Sequence, residues 1–219
     1  EMIAIPETVC ISMSQHIGAP CKPLVKKGDA VKVGQLIGDT EAFVSAPIHS
    51  SVSGTVKEIK TMRNVMGGQD TVVVIDTDGK QEVHEDIKPP VVNSKEEFIA
   101  AIRGSGLVGL GGASFPTHIK LNPKNMDECH DLIVNAAECE PFITSDHRLM
   151  VENTSFIIDG MLTIMKYLEL DKGHIGVEEN KPDAIAALNK EIADRGESGR
   201  LSVHTLRARY PQGAERVMI

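Results

Sequence analysis

The sequence predicts a chain of two parts: an all-β first part of sandwich or barrel type to about Asp78, and an α/β second part with a mainly parallel sheet over residues 94–219. Three observations predict it. Apolar runs in the first part are cut at close spacing by Gly28-Asp29, Gly34-Gln35, Gly38-Asp39, Pro47, Gly54 and Gly67-Gly68, which leaves room only for short strands. A helix-start signal appears at Ser94. From residue 131 strand-like and helix-like stretches alternate, and strands joined through helices pair in parallel.

In order along the first part, strands are expected at Leu24-Val25, Ala30–Val33, Gln35–Ile37, Val52–Ile59 and Thr71–Ile75. Residues 79–93 change character. Asp78-Gly79 is a turn signal, Glu82–Asp86 is charged, and Pro89-Pro90 forbids both helix and central strand. This stretch reads as a linker or crossing segment.

Ser94-Lys95-Glu96-Glu97 is a capping box ahead of Phe98, Ile99 and Ile102, with Gly104 as the stop. Asp131–Asn135 reads as a buried strand. Asn153–Glu169 reads as a helix with Ile157, Met161, Met165 and Leu168 on one face and Gly173 as its stop. His174–Val177 and Leu201–Leu206 read as strands. Between them Pro182 opens a helix striped by Ile185, Leu188 and Ile192 and closed by Gly196.

Composition narrows the function classes. The 219 residues are 41% hydrophobic and 25% charged, an ordinary folded composition. No apolar run reaches membrane-spanning length, and no basic-then-apolar leader is visible. A net charge of −8 with 3% aromatics and no Trp argues against nucleic acid, which needs a basic surface or stacking platforms. Cys10, Cys21, Cys129 and Cys139 contain no C-x-x-C pair, so no metal site is expected in these residues, and they read as cytosolic thiols.

Four stretches could carry chemistry. Val25–Ile37, followed by Glu41-Ala42 and Ala46–Val56, resembles biotinyl/lipoyl-type barrel-sandwich hybrid domains, with two turns, Lys-Gly-Asp and Val-Gly-Gln, flanking a short strand. The carrier lysine such domains present is replaced by Phe43-Val44-Ser45, which leaves a structural or docking module. Gly104–Lys120 packs five glycines into residues 104–112 and can turn backbone N–H groups toward an anion or serve as a glycine connection. It is neither a Rossmann fingerprint nor a Walker A loop, because it follows a helix and lacks the closing Gly-Lys-Ser/Thr. Asn135–Pro141 brings Glu138 and Glu140 to the carboxyl end of a predicted strand, where open α/β sheets bind ligands; a solvated turn is the other reading. Arg209–Glu215 again follows a strand.

Taken together, Gly109–Lys120, Asn135–Pro141 and Tyr210–Glu215, in that order behind the β module, closely resemble the RnfC component of the Rnf electron-transport complex, a family similar to the flavin-bearing subunit of respiratory complex I. The resemblance runs from Ser14 to the end of the chain. It implies an FMN site that exchanges a hydride with NAD(H), in an NADH:acceptor oxidoreductase subunit on the cytoplasmic face of a membrane. Its partners would be the other subunits of an ion-transporting complex and a ferredoxin-type carrier. Residue by residue, Gly109, Gly111 and Gly112 match glycines that approach flavin and dinucleotide, Phe115 a ring lining the nucleotide site, and Lys120 a lysine beside FMN. Asn135 and Glu138 match polar flavin contacts, Glu140 a carboxylate near the nucleotide, and Tyr210, Gly213 and Glu215 a segment packed on the isoalloxazine. The resemblance assigns no catalytic residue within these 219 residues. Leu110, Ala137, Cys139, Ala214 and Pro123 depart from the complex I pattern, which favours flavin contacts over dinucleotide contacts. The family continues past Ile219 with more of the flavin site and two cysteine clusters for iron–sulfur centres. The resemblance therefore implies a fragment, isolated largely without flavin and inactive by itself. A non-catalytic docking module of the same complex is the competing expectation.

Overall fold

The computed structural model describes residues 4–110 and 114–218. Contacts divide the chain into two compact units, 1–124 and 125–219.

The first unit is built on antiparallel β-structure. Strands β1 (Thr8–Ser12), β3 (Ala30–Val31), β6 (Gly54–Arg63) and β7 (Gln69–Thr77) form a sheet in the order β1-β7-β6-β3; β2 (Lys22–Pro23), β4 (Leu36–Asp39) and β5 (Ile48–His49) form a second in the order β2-β4-β5. The central strand β7 buries Val72, Val73, Val74 and Ile75 in succession, and Val73 and Ile75 join Ile11, Met13, Val31, Ile37 and Val56 in one core. The two expected turns flank β3. In each, the fourth residue's side chain accepts from the first residue's N–H: Asp29 from Lys26 at 2.9 Å and Gln35 from Lys32 at 3.0 Å. Strands β1, β2 and β5 escape the sequence reading, because β1 carries no Gly or Asp turn at its ends and β2 and β5 are two residues long; the strand expected at Leu24-Val25 is replaced by β2 just before it.

The segment 79–93 lies within this unit and is tied to it. Val33 donates to the Glu82 carbonyl and accepts from His84 N–H, both at 2.9 Å, and Lys32 pairs with Glu82 and Glu85. Helix α1 (Lys95–Gly104) follows. Ser94 Oγ accepts from Glu97 N–H at 3.2 Å, and the Glu97 carboxylate accepts from Asn93 N–H at 2.7 Å. Gly104 is its last residue rather than its stop; the left-handed position is Gly106, at φ +73°, where a Cβ would lie 2.5 Å from the Pro47 carbonyl oxygen. Arg103 is held by Asp39, with a 2.8 Å contact, and by the Thr40 carbonyl. A short helix α2 (Thr117–Lys120) completes the described part of this unit.

The second unit is α/β. Strands β8 (Asp131–Ala136), β9 (Lys172–Glu178) and β10 (Leu201–Leu206) form a parallel sheet in the order β10-β9-β8, in register Asp131↔Lys172 and Leu201↔Gly173. Helices α3 (Ser145–Glu152), α4 (Thr154–Leu168) and α5 (Pro182–Asp194) intervene, and α6 (Glu215–Met218) follows β10. Helix α3 lacks a stripe of apolar residues and was not expected. In α4 the buried face is Ile158, Met161, Met165 and Leu168, with Ile158 rather than Ile157 inside. The helix ends on Glu169, left-handed at φ +56°, and not on Gly173. Gly173 is in β9 for a different reason: a Cβ there would sit 2.8 Å from Met161 Cε and 2.7 Å from Leu201 Cδ2, so its absence lets α4 lie close on the sheet. Among the described residues no helix is long and apolar enough to cross a membrane.

Candidate functional site

All three parallel strands of the second unit run out at one end, and a cleft of about 380 Å³ opens there. Its walls come from the segment after β8 (138–144), from the last residue of β9 and the residues beyond it (178, 180 and 181) and from the segment after β10 (208–210), with His147 from α3. Such an edge is where open α/β sheets bind ligands, and the volume falls within the ~300–1,000 Å³ of small-molecule sites.

The floor is charged and buried. Glu138, Glu178 and Lys181 are each less than a tenth exposed. Lys181 Nζ donates to the Glu138 carbonyl at 3.1 Å and to Glu178 Oε2 at 3.4 Å, and lies 3.9 Å from Glu138 Oε2. The Glu138 carboxylate accepts from Asp146 N–H at 2.7 Å and from His147 N–H at 3.3 Å. It therefore closes the open amides of the first turn of α3, whose own N-cap, Thr144, makes no side-chain cap bond. Partial desolvation, then the neighbouring Glu138 charge, raise the Asp146 carboxyl above its ordinary range, and Lys181 offsets part of this. His147 Nε2 contacts Asp183 Oδ1 at 2.8 Å, and that hydrogen bond lowers the Asp183 carboxyl.

The residues expected from the sequence distribute as follows. Glu138, Glu140 and Tyr210 line the cleft. Asn135 stands behind it: its Nδ2 donates to the Gly213 carbonyl at 2.8 Å and its Oδ1 accepts from Ala137 N–H, so it pins the loop after β10 to strand β8. Gly213 lies so close to β8 that a Cβ would meet the Ala137 oxygen at 2.2 Å, and its N–H donates to Cys139 Sγ. Glu215 opens α6, is exposed and does not line the cleft. In the first unit, Gly109 donates to the Phe115 carbonyl at 2.9 Å, and a Cβ on Gly109 would lie 2.9 Å from Lys120 Nζ. The loop thus brings the Lys120 ammonium close to the Gly109 backbone. Gly111 and Gly112 lie outside the described residues.

Lys181, Glu178 and Phe142 were not anticipated. For Lys181 a signal exists: it immediately precedes Pro182 at the first helical position after a strand, which puts it at a strand's carboxyl end. Among the described residues no group of three or more His, Cys, Asp or Glu side chains is arranged to hold a metal ion.

Comparison with known proteins adds the following. Residues 102–219 match the family described as the Nuo51 FMN-binding domain, and residues 1–80 match the RnfC barrel sandwich hybrid domain. The C subunit of the Na(+)-translocating ferredoxin:NAD(+) oxidoreductase complex of Acetobacterium woodii is 45% identical over 98% of this chain and 48% of its own length. The C subunit of the proton-translocating ferredoxin:NAD(+) oxidoreductase complex of Clostridium ljungdahlii is 44% identical over 100% of this chain and 48% of its own. The C subunit of an ion-translocating oxidoreductase complex of Pseudomonas aeruginosa is 36% identical over 95% of this chain and 27% of its own. The chain thus spans about half the length of the first two and about a quarter of the third.

Proposed function

The chain belongs to the RnfC family, with a barrel sandwich hybrid domain followed by an FMN-binding domain of the Nuo51 type, and from that premise we propose that it forms the flavin-bearing part of an NADH-oxidising subunit. That subunit would exchange electrons between NAD(H) and a ferredoxin-type carrier within an ion-transporting complex. Iron–sulfur centres would be held by sequence beyond these residues, the other subunits would be its partners, and its place would be the cytoplasmic face of the membrane.

The observation that carries the reading is the cleft at the carboxyl ends of β8, β9 and β10, inside the stretch that matches an FMN-binding domain. Each unit by itself carries residues with the chemistry that part of the cofactor asks for. Lys120 would supply charge and the Gly109 backbone close approach for a phosphate, and the resemblance assigns Gly111 and Gly112 to the same ligand. Phe115 would line the nucleotide side. The cleft, with Tyr210 at its edge and Glu140 on its wall, suits a ring system and its polar edge. Asn135 and Gly213 would act by placing the loop after β10, Glu138 by orienting α3, and Glu215 through the segment it ends. The chemistry a bound flavin supplies is hydride exchange with NAD(H) and single-electron transfer onward.

One observation favours the docking-module alternative: the Glu138 carboxylate and the Asn135 amide are already satisfied by protein groups. Titrating FMN into the full-length gene product separates the two. Flavin binding is expected, and Lys120→Ala should weaken it about 10- to 100-fold, the worth of a charge-assisted hydrogen bond. Unchanged affinity would place the phosphate elsewhere, and no flavin binding at all would favour the docking module.

A further inference from the structure

Five Phe and two Tyr are the chain's only Phe, Tyr or Trp residues, and two of them, Phe142 and Tyr210, line one cleft and are 104% and 69% exposed. Phe142 is exposed at a backbone disadvantage. Its φ is +66°. It follows Pro141 in a turn closed by Ile143 N–H on the Glu140 carbonyl at 3.4 Å. A turn with Pro second and a positive φ third favours glycine there, and a bulky residue is strained. Among the described residues no buried area offsets that strain, since Phe142 is fully exposed. Arg209 lines the same cleft, exposed and without a carboxylate partner among the described residues.

We infer that Phe142 stacks on a planar ring of the diffusible dinucleotide while Arg209 meets its diphosphate. A strained exposed aromatic and an unpaired guanidinium lining one cleft match a ligand that carries a flat heterocycle and an anion. Phe142 stands at the open lip, whereas the buried groups of the cleft are Glu138, Glu178 and Lys181. The lip meets the ligand that comes and goes, so the ring is assigned to NAD(H) and not to the resident flavin. The assignment rests on the function proposed above and deepens it.

The test uses the full-length gene product, with flavin content, NADH oxidation by an artificial acceptor and thermal unfolding as readouts. Phe142→Ala should raise the KM for NADH about three- to tenfold, the worth of one aromatic stacking pair, with the loss falling on KM rather than kcat and flavin content retained. Phe142→Tyr should restore KM. Phe142→Gly should show the same rise in KM with a Tm no lower than that of the parent, because glycine relieves the left-handed strain. Arg209→Gln should raise KM by an amount that shrinks at high salt. ADP-ribose and oxidised nicotinamide mononucleotide as competitive inhibitors tell which ring is stacked, since only the stacked one weakens with Phe142→Ala; a shift in neither would overturn the assignment. A flavin-loaded Phe142→Ala protein with unchanged KM would overturn it too, as would flavin loss in that variant, which would put the ring against the cofactor. A parent protein with neither flavin nor NADH oxidation would remove the underlying function and this assignment with it.

Discussion

The ammonium of Lys181 donates to the backbone carbonyl of Glu138, 43 positions away in the chain, at 3.1 Å. One cation thereby joins the exit of β8 to the exit of β9, and it does so between two carboxylates that are each 3% exposed. The cleft floor is held by charge rather than by apolar packing.

Removal of that cation should be severe. Lys181→Met keeps the stem and leaves Glu138 and Glu178 buried without their partner, which costs about 3–5 kcal/mol where burial is complete. Chemical denaturation against the parent measures it. A loss below about 1 kcal/mol would show the carboxylates behaving as a solvated surface pair.

The ion pair at the end of α1 should be visible in acid. Burial alone would raise the Asp39 carboxyl, but the Arg103 guanidinium and the Thr40 N–H hold it below its ordinary 3.8. The folded state therefore binds its proton less readily than the unfolded chain. The stabilisation is fully present above the ordinary value and disappears as pH falls through the lower folded one. Arg103→Gln should cost about 1–2 kcal/mol at neutral pH and flatten the fall in stability below about pH 4. Parallel acid limbs for parent and variant would show that the pair contributes nothing to folding.

Two glycines should respond unequally to the same change. Gly213→Ala drives a Cβ into the Ala137 carbonyl oxygen at 2.2 Å, fixed backbone that cannot step aside. Gly173→Ala meets the tips of Met161 and Leu201, which can rotate. Losses of about 2–3 kcal/mol and about 1 kcal/mol are expected, and thermal unfolding of both variants checks the order. The reverse order would mean that the loop after β10 yields more readily than the helix packing.

What the residues disclosed in advance was what lies in local pattern. Ser94 and Glu97 are three apart and cap α1 in the expected manner; the strands of the parallel sheet follow from apolar runs bounded by turns. What stayed hidden depends on meetings between distant segments. Nothing near Lys181 in sequence announces Glu138. Gly173 looked like a helix stop because glycine serves both as a stop and as a point of close approach, and only the neighbouring Met161 decides which. Phe142 was silent for a third reason: Pro141 signals a turn, but the residue that would mark a left-handed position is missing.

The strapping of residues 82–84 along Val33 bears on how the chain can be divided in the laboratory. A piece ending at Asp78 would leave the Val33 N–H and carbonyl unmatched and strip Lys32 of both its acids. It would also remove the isolated parallel bridge between Val33 and Val83. Replacing 79–93 with a glycine–serine tether would do the same, because this stretch works as an extra rung of the ladder and not as slack. The serviceable cut falls after Lys124, where the contacts themselves separate.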